Sequence, residues 1–120
     1  MNRAAPKSRG GTARASARPC CPRPAQRRAI ETRPYARLFK ALGHPTRLAI
    51  VGLLAGAGRE LCACELESQF ELGQPAVSHH LRILREGGWV TAERRGTWVY
   101  YALERAALER LSEFRALLEG

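Results

Sequence analysis

The sequence predicts a mainly α-helical domain with a β-hairpin wing, the winged helix-turn-helix arrangement, dimeric through its first and last helices. Three observations predict this fold. Apolar residues recur at helical spacing in four segments between residues 35 and 86. The period then changes to about two over two short segments rich in β-branched and aromatic residues. A final segment returns to helical spacing and is more apolar than a peripheral helix of a small domain needs to be.

The first 34 residues form a basic tail that we predict to be disordered. The tail contains nine Lys or Arg and one Glu, and Ile30 is its single aliphatic residue larger than alanine. This composition cannot bury enough apolar surface to offset the entropy lost on ordering. The folded domain is therefore expected to span residues 35–120, where eleven basic and ten acidic residues nearly balance.

Four helices are expected before the hairpin. The first includes residues 38–42, and the second begins near Pro45 and stops at residues 56–58. Proline is tolerated in a first helical turn because its missing N–H would have no partner there. The third helix is predicted over residues 61–70 and the fourth over residues 74–86, before two glycines.

The hairpin and the last helix complete the predicted domain. Residues 89–93 and 97–101 are expected to form two strands, with Arg94, Arg95 and Gly96 at the tip. The last helix, over roughly residues 104–118, has an apolar stripe made of Ala107, Leu111, Phe114 and Leu118. A second copy of the chain is the simplest partner for this stripe, so we expect a homodimer.

The fourth helix has one apolar face and one polar face. At about 100° per residue, Val77, Leu81 and Leu84 fall on a single stripe that we expect to be buried. The side chains that we expect to contact DNA from this helix are Gln74, Ser78, His79, Arg82 and Arg85. His80 lies beside the apolar stripe and is expected to be structural.

Two basic residues at the hairpin tip support the same interpretation. Arg94 and Arg95 are placed where a wing meets the DNA backbone or the minor groove. The sequence therefore predicts double-stranded DNA as a partner. The alternative is that the polar face of the fourth helix is only solvated, as is common for charged helix faces.

Three motifs resemble the ArsR/SmtB family of metal-sensing winged-helix repressors. They are LFKALGHPTRL at residues 38–48, ELCACEL at residues 60–66 and QPAVSHHL at residues 74–81. The resemblance covers about residues 35–118. It implies a homodimeric transcriptional repressor that binds operator DNA and releases it when a metal ion binds. An enzyme is not expected, because no base is evident beside a nucleophilic cysteine.

Four cysteines are candidate metal ligands, namely Cys20, Cys21, Cys62 and Cys64. Because no secretion signal is present, they favour a reducing compartment, and we expect a cytoplasmic protein without a membrane partner. Side chains at positions i and i+2 of a regular helix do not face each other. Cys62 and Cys64 therefore bind one ion only if the third helix starts irregularly. Ion capture is then expected to strain this helix and move the fourth helix relative to DNA.

The Cys-x-Cys pair resembles the sensor motif of arsenic-responsive and cadmium/lead-responsive members. Arsenic-responsive members have a further cysteine on this helix, where the chain has Glu67. An As(III) site of three thiolates therefore needs Cys20 or Cys21, and a Cd(II) or Pb(II) site uses all four cysteines. We expect an arsenite-responsive repressor, with the Cd(II)/Pb(II) sensor as the alternative in the same class.

Other interpretations of the cysteines remain open at this point. A thiol redox sensor on the same scaffold belongs to a different class. Cys62 and Cys64 packed as small hydrophobic residues, with Cys20 and Cys21 idle in the tail, is the structural alternative. A nickel or zinc site on the last helix is not expected, because no histidine follows His80 and the chain has no Asp.

Overall fold

The computed structural model describes residues 30–120, and the predictions for the tail before Ile30, including those for Cys20 and Cys21, lie outside these residues. The elements in chain order are α1 (Arg33–Leu42), α2 (Pro45–Ala57), β1 (Leu61–Cys62), α3 (Ala63–Glu67), α4 (Gln74–Glu86), β2 (Val90–Arg95), β3 (Trp98–Leu103) and α5 (Arg105–Glu119). The mainly helical fold with a β wing is confirmed.

Prolines and capping residues in the sequence set where the first two helices begin and end. α1 begins at Arg33, with a proline in its first turn, and so starts two residues before the predicted domain. His44 caps α2, because its Nδ1 accepts a hydrogen bond from the backbone N–H of Thr46 at 3.1 Å. Gly58 caps the end of α2, and its φ of 63° is the left-handed conformation that favours glycine.

The prediction of a ten-residue third helix is wrong. Leu61 and Cys62 form the strand β1, and α3 includes only the five residues Ala63–Glu67. β1 pairs antiparallel with β3, so that Leu61 lies opposite Tyr101 and Cys62 opposite Tyr100. The three-stranded sheet has the order β1-β3-β2, with β3 in the centre. The wing is therefore more than a hairpin, because a short strand before α3 belongs to the same sheet.

The predicted hairpin tip is also wrong in detail. Arg94 and Arg95 are the last residues of β2, where Arg94 pairs with Val99 and Arg95 with Trp98. The turn is formed by residues 96 and 97, and Gly96 has a φ of 64° there. The two arginines consequently flank the turn from the strand instead of forming it.

The core places α4 against the rest of the domain. Its central members come from α2, α3, α4 and the start of the hairpin: Ile50, Leu54, Leu66, Val77, Leu81, Leu84, Trp89 and Val90. Trp89 also donates a buried hydrogen bond from Nε1 to the carbonyl oxygen of Leu38 at 2.7 Å. This bond fixes α1 beside the end of α4.

The last helix packs on α1 and keeps part of its apolar stripe exposed. The Phe114 ring lies 5.3 Å from the Tyr35 ring and 5.0 Å from the Phe39 ring, measured between centroids. Ala107 is buried in the core, whereas Leu111 and Leu118 of the same stripe are exposed. Among residues 30–120, no helix is long and apolar enough to cross a membrane.

Candidate nucleic-acid interface and thiol site

α4 presents a polar surface because its opposite side is buried. Val77, Leu81 and Leu84 are almost fully buried, as their shared stripe predicts. All five of the side chains predicted to contact DNA from α4 are exposed: Gln74, Ser78, His79, Arg82 and Arg85. The Nδ1 of His79 lies 3.2 Å from the Nη2 of Arg82, so these two side chains support each other on the surface. The arrangement offers amide, hydroxyl and guanidinium groups to one partner.

His80 is placed in the protein rather than on the polar surface. It is half-buried, and its ring lies 4.5 Å from that of His44 between centroids. Within residues 30–120, its Nδ1 is buried and has no hydrogen-bond partner. Burial lowers the pKa of His80 below 6.5, and the nearby charges of His44, Arg47 and His79 lower it further. The neutral imidazole is therefore the favoured form.

The two arginines of the wing differ in what they contact. Arg95 pairs with Glu60 and with Glu93, at 3.0 Å from its Nη2 to the Glu60 carboxylate and 2.9 Å to the Glu93 carboxylate. These hydrogen bonds raise the pKa of Arg95 and, through Arg95, lower the pKa of Glu93. Arg94 is exposed and has no ion pair among residues 30–120. Arg94 is thus available to an external anion, whereas Arg95 is held by the protein.

Trp98 is an exposed aromatic residue of the wing that sequence reasoning missed. It opens β3 directly after the turn, opposite Arg95, and 55% of its surface is exposed. The signal in the sequence was a tryptophan two residues after the turn glycine. Its ring is therefore accessible to a partner molecule at the end of the wing.

Cys62 and Cys64 meet at the junction of β1 and α3. Cys62 has an extended backbone and occupies the position before the first helical residue, and Cys64 lies in the first turn. Their Cα atoms are 5.4 Å apart, and their side chains are joined as a disulfide. Cys62 is buried and Cys64 is exposed. A site shared by both cysteines requires that the third helix starts irregularly. The structure meets this requirement because the strand β1 leads directly into α3 between the two cysteines.

Glu65 holds this junction in place. Its Oε1 accepts a hydrogen bond from the backbone N–H of Cys62 at 2.9 Å, and its Oε2 pairs with Nη2 of Arg59 at 2.8 Å. The hydrogen bond from Arg59 lowers the pKa of Glu65, and the bond from the Cys62 backbone lowers it further. The carboxylate therefore stays ionised and ties the ends of the cysteine segment together.

Two cysteines are one ligand short of a three-sulfur site. Within residues 30–120, no group of three or more His, Cys, Asp or Glu side chains is arranged to hold a metal ion. Glu67, where a further cysteine was considered, is the last residue of α3 and is half-buried. The third sulfur considered from the sequence belongs to Cys20 or Cys21.

Comparison with known proteins identifies the family. The model of bacterial regulatory proteins of the arsR family matches residues 44–92. The chain is 47% identical to an uncharacterized HTH-type transcriptional regulator of Methanocaldococcus jannaschii, over 55% of this chain and 73% of that relative. It is 48% identical to the arsenic resistance transcriptional regulator ArsR1 of Pseudomonas putida, over 55% of this chain and 51% of the relative. The match thus spans about half the length of this arsenic regulator.

A solved structure supports the same assignment. The chain resembles the homodimeric winged helix-turn-helix DNA-binding domain of a possible ArsR-family transcriptional regulator from Mycobacterium bovis, determined by solution NMR. The TM-score is 0.58 and the identity 28%, over 72% of this chain and 79% of that one. The predicted winged helix-turn-helix is therefore confirmed. The relatives are transcriptional regulators and not enzymes, as predicted. The chain belongs to the ArsR family of bacterial regulatory proteins.

Proposed function

We propose that this protein is an arsenite-responsive repressor that binds operator DNA as a homodimer and releases it when cysteine thiolates bind As(III). The observation that carries the proposal is the convergence of Cys62 and Cys64 at the junction of β1 and α3. Reduction of this pair yields two adjacent thiols, and the exposed Cys64 makes them accessible. The identity to an arsenic resistance regulator supports arsenite as the inducer.

The proposed DNA surface combines α4 with the wing. Gln74 and Ser78 are the side chains best suited to base edges, because an amide and a hydroxyl both donate and accept hydrogen bonds. The basic and aromatic members are His79, Arg82 and Arg85 from α4, with Arg94 and Trp98 from the wing. The arginines neutralise phosphates, so binding is expected to weaken steeply with salt.

The proposed dimer uses the face of α5 that the protomer does not cover. Its large exposed apolar side chains are Leu108, Leu111, Leu117 and Leu118. Leu108, Leu111 and Leu118 lie within about 80° of one another around α5, whereas Leu117 is about 100° or more from each of them. An exposed apolar face such as that of the first three is typical of a subunit interface. The homodimeric relative supports this arrangement, which places two copies of α4, the proposed recognition helix, on one operator.

The inducer site needs a third sulfur in addition to Cys62 and Cys64. We assign this role to Cys20 or Cys21, because a trivalent arsenic centre takes three thiolates. Arsenous acid and three thiols give three As–S bonds and three water molecules, so no oxidant is required. With all four cysteines the site instead suits Cd(II) or Pb(II), since thiolates prefer soft ions. A reducing cytoplasm keeps these thiols available.

The test measures operator release by fluorescence anisotropy. Reduced protein bound to labelled DNA from upstream of its own gene is titrated with arsenite and, in parallel, with cadmium. Cys62→Ser and Cys64→Ser are expected to bind the operator normally and to lose release by arsenite. The double variant Cys20→Ser, Cys21→Ser is expected to weaken release without affecting operator binding. Normal release from both single variants would refute the proposal, and release by cadmium alone would move the assignment to a four-sulfur site.

A second candidate function is favoured by the disulfide itself. Cys62 and Cys64 are close enough to bond directly, so the pair also suits a thiol redox sensor. Hydrogen peroxide and the two thiols would give one disulfide and two water molecules. Operator release by peroxide, in the absence of arsenite and reversed by a dithiol reductant, would establish this function. Retention of the operator by the fully oxidised protein would exclude it.

A further inference from the structure

The cysteine pair is connected directly to the wing. Cys62 is the second residue of β1, and its backbone pairs with Tyr100 of β3. Because β3 is the central strand, a displacement of β1 acts on the same strand that carries Trp98 into the proposed DNA surface. The connection uses backbone pairing and needs no movement of α4.

Arg95 ties the same two parts together through side chains. Its guanidinium lies 4.7 Å above the centre of the Tyr100 ring and bonds to the carboxylate of Glu60, the residue before β1. Arg95 thus reaches from β2 across β3 to the segment that leads into the cysteines. The Arg95–Glu60 contact, which we call the strap, fastens the outer strand of the wing to the thiol site.

The segment between the two parts is short and fixed at both ends. Glu60 binds the wing on one side of Cys62, and Glu65 binds the backbone N–H of Cys62 on the other. Arg59 completes the connection by pairing with Glu65. A change in the distance between Cys62 and Cys64 therefore cannot be absorbed in a long loop. It must move either β1 or α3.

Packing decides which of these two elements moves. α3 is anchored by Leu66, which is fully buried in the same core as Val77 and Leu81 of α4. Displacing such a side chain disrupts close packing, which is costly. β1 is an edge strand of two residues, and its Leu61 belongs to the same core but is less completely buried than Leu66, with 8% of its surface exposed against 0%. The wing side therefore yields more easily than the side of the recognition helix.

We propose that the wing, through β1 and the strap, is the element that transmits the state of Cys62 and Cys64 to DNA. This inference rests on the proposed function, because it assumes that thiol chemistry controls operator binding. Arg95 is then a positioning residue for the wing and not a phosphate contact. The shift of α4 expected from the sequence becomes a secondary effect.

The first test measures coupling in the full chain. Operator affinity is determined by anisotropy for the reduced protein and for the isolated disulfide form. The affinity of the reduced form divided by that of the disulfide form measures the coupling between the cysteine pair and DNA binding. Glu60→Gln is expected to leave the affinity of the reduced form unchanged and to reduce the ratio by about two- to fivefold, the range that one exposed ion pair supports. Glu71→Gln removes the same charge from an exposed position outside the strap and is the matched control. The double variant Glu60→Gln, Arg95→Gln is expected to show the same ratio as Glu60→Gln.

The second test locates the movement. Backbone amide NMR shifts are compared between the dithiol and disulfide forms. We expect larger changes at Tyr100 and Trp98 than at Ser78 and Leu81 of α4. Larger changes in α4, or a ratio in Glu60→Gln equal to that of the wild type, would overturn the wing as the transmitting element. Those results leave the thiol sensor intact, whereas a wild-type protein whose operator affinity ignores arsenite, cadmium and peroxide would refute the proposed function itself.

Discussion

Gly87, directly after α4, lies against Ala41 of α1, and replacing it with alanine is a sharp test of the fold. A Cβ at this position would overlap the Cβ of Ala41 in α1 and would lie 3.2 Å from the carbonyl oxygen of Ile83. Neither neighbour is the end of a flexible side chain. The backbone φ of Gly87 is −79°, so an alanine is unstrained there and space alone decides the outcome.

The size of the effect follows from this overlap. Carbon atoms in favourable contact are about 3.5–4.0 Å apart, so α1 must move away by about 1 Å or more. Such overpacking costs about 1–3 kcal/mol. For a domain of this size, each kcal/mol lowers the melting temperature by about 4–8 °C. We therefore expect Gly87→Ala to melt about 5–20 °C below the wild type.

The assay is urea unfolding, followed by tryptophan fluorescence, together with thermal melting. The matched control is Gly52→Ala, because Gly52 lies inside α2 and, within residues 30–120, no atom from outside its own helical segment lies within 4 Å of the added Cβ. Alanine is favoured over glycine inside a helix by about 0.5–1 kcal/mol, so this control is expected to gain stability. Trp89 reports on α1 as well, because its Nε1 bonds to the Leu38 carbonyl. Gly87→Ala with the stability of the wild type would refute the close approach of α1 and α4.

Three further predictions address the wing, the histidine cluster and the dimer. Arg94→Ala is expected to lower the slope of log K against log salt for operator binding by about 1. Arg95→Ala is expected to lower this slope by much less, because Glu60 and Glu93 already hold Arg95. Equal losses of slope in the two variants would contradict the different roles of these arginines. The free energy of unfolding is expected to fall as the pH drops below 6.5, because the lowered pKa of His80 means that the unfolded chain takes up its proton first. His80→Phe should flatten this dependence in urea titrations on either side of that pH, and an unchanged dependence would place the titrating group elsewhere. Leu118→Asp places a charge at a position where the leucine is 73% exposed in the protomer. We expect this variant to sediment as a monomer with an unchanged circular dichroism spectrum. A dimer of normal affinity would exclude this face of α5 as the interface.

The sequence by itself determined the recognition helix. α4 spans Gln74–Glu86, the range that its spacing predicts, and Val77, Leu81 and Leu84 are buried as expected. Its exposed polar side chains follow from the same period. A helix is predictable in this way because its hydrogen bonds and its faces depend on residues three or four positions apart. The beginning and end of α2 are also predictable from the sequence, because they depend on residues next to the helix ends.

The thiol site, the third strand of the wing and the Arg95–Glu60 contact were decided only by the tertiary structure. β1 has two residues and no periodicity of its own, and it exists because Leu61 and Cys62 pair with β3, almost 40 positions further along the chain. The same pairing gives Cys62 its extended backbone, which brings it to Cys64 where a regular helix would have separated them. Arg95 reads in the sequence as one more basic residue near a turn, but its partner Glu60 precedes that distant strand. Contacts between residues far apart in sequence leave no local pattern, so only the folded chain reveals what these residues do.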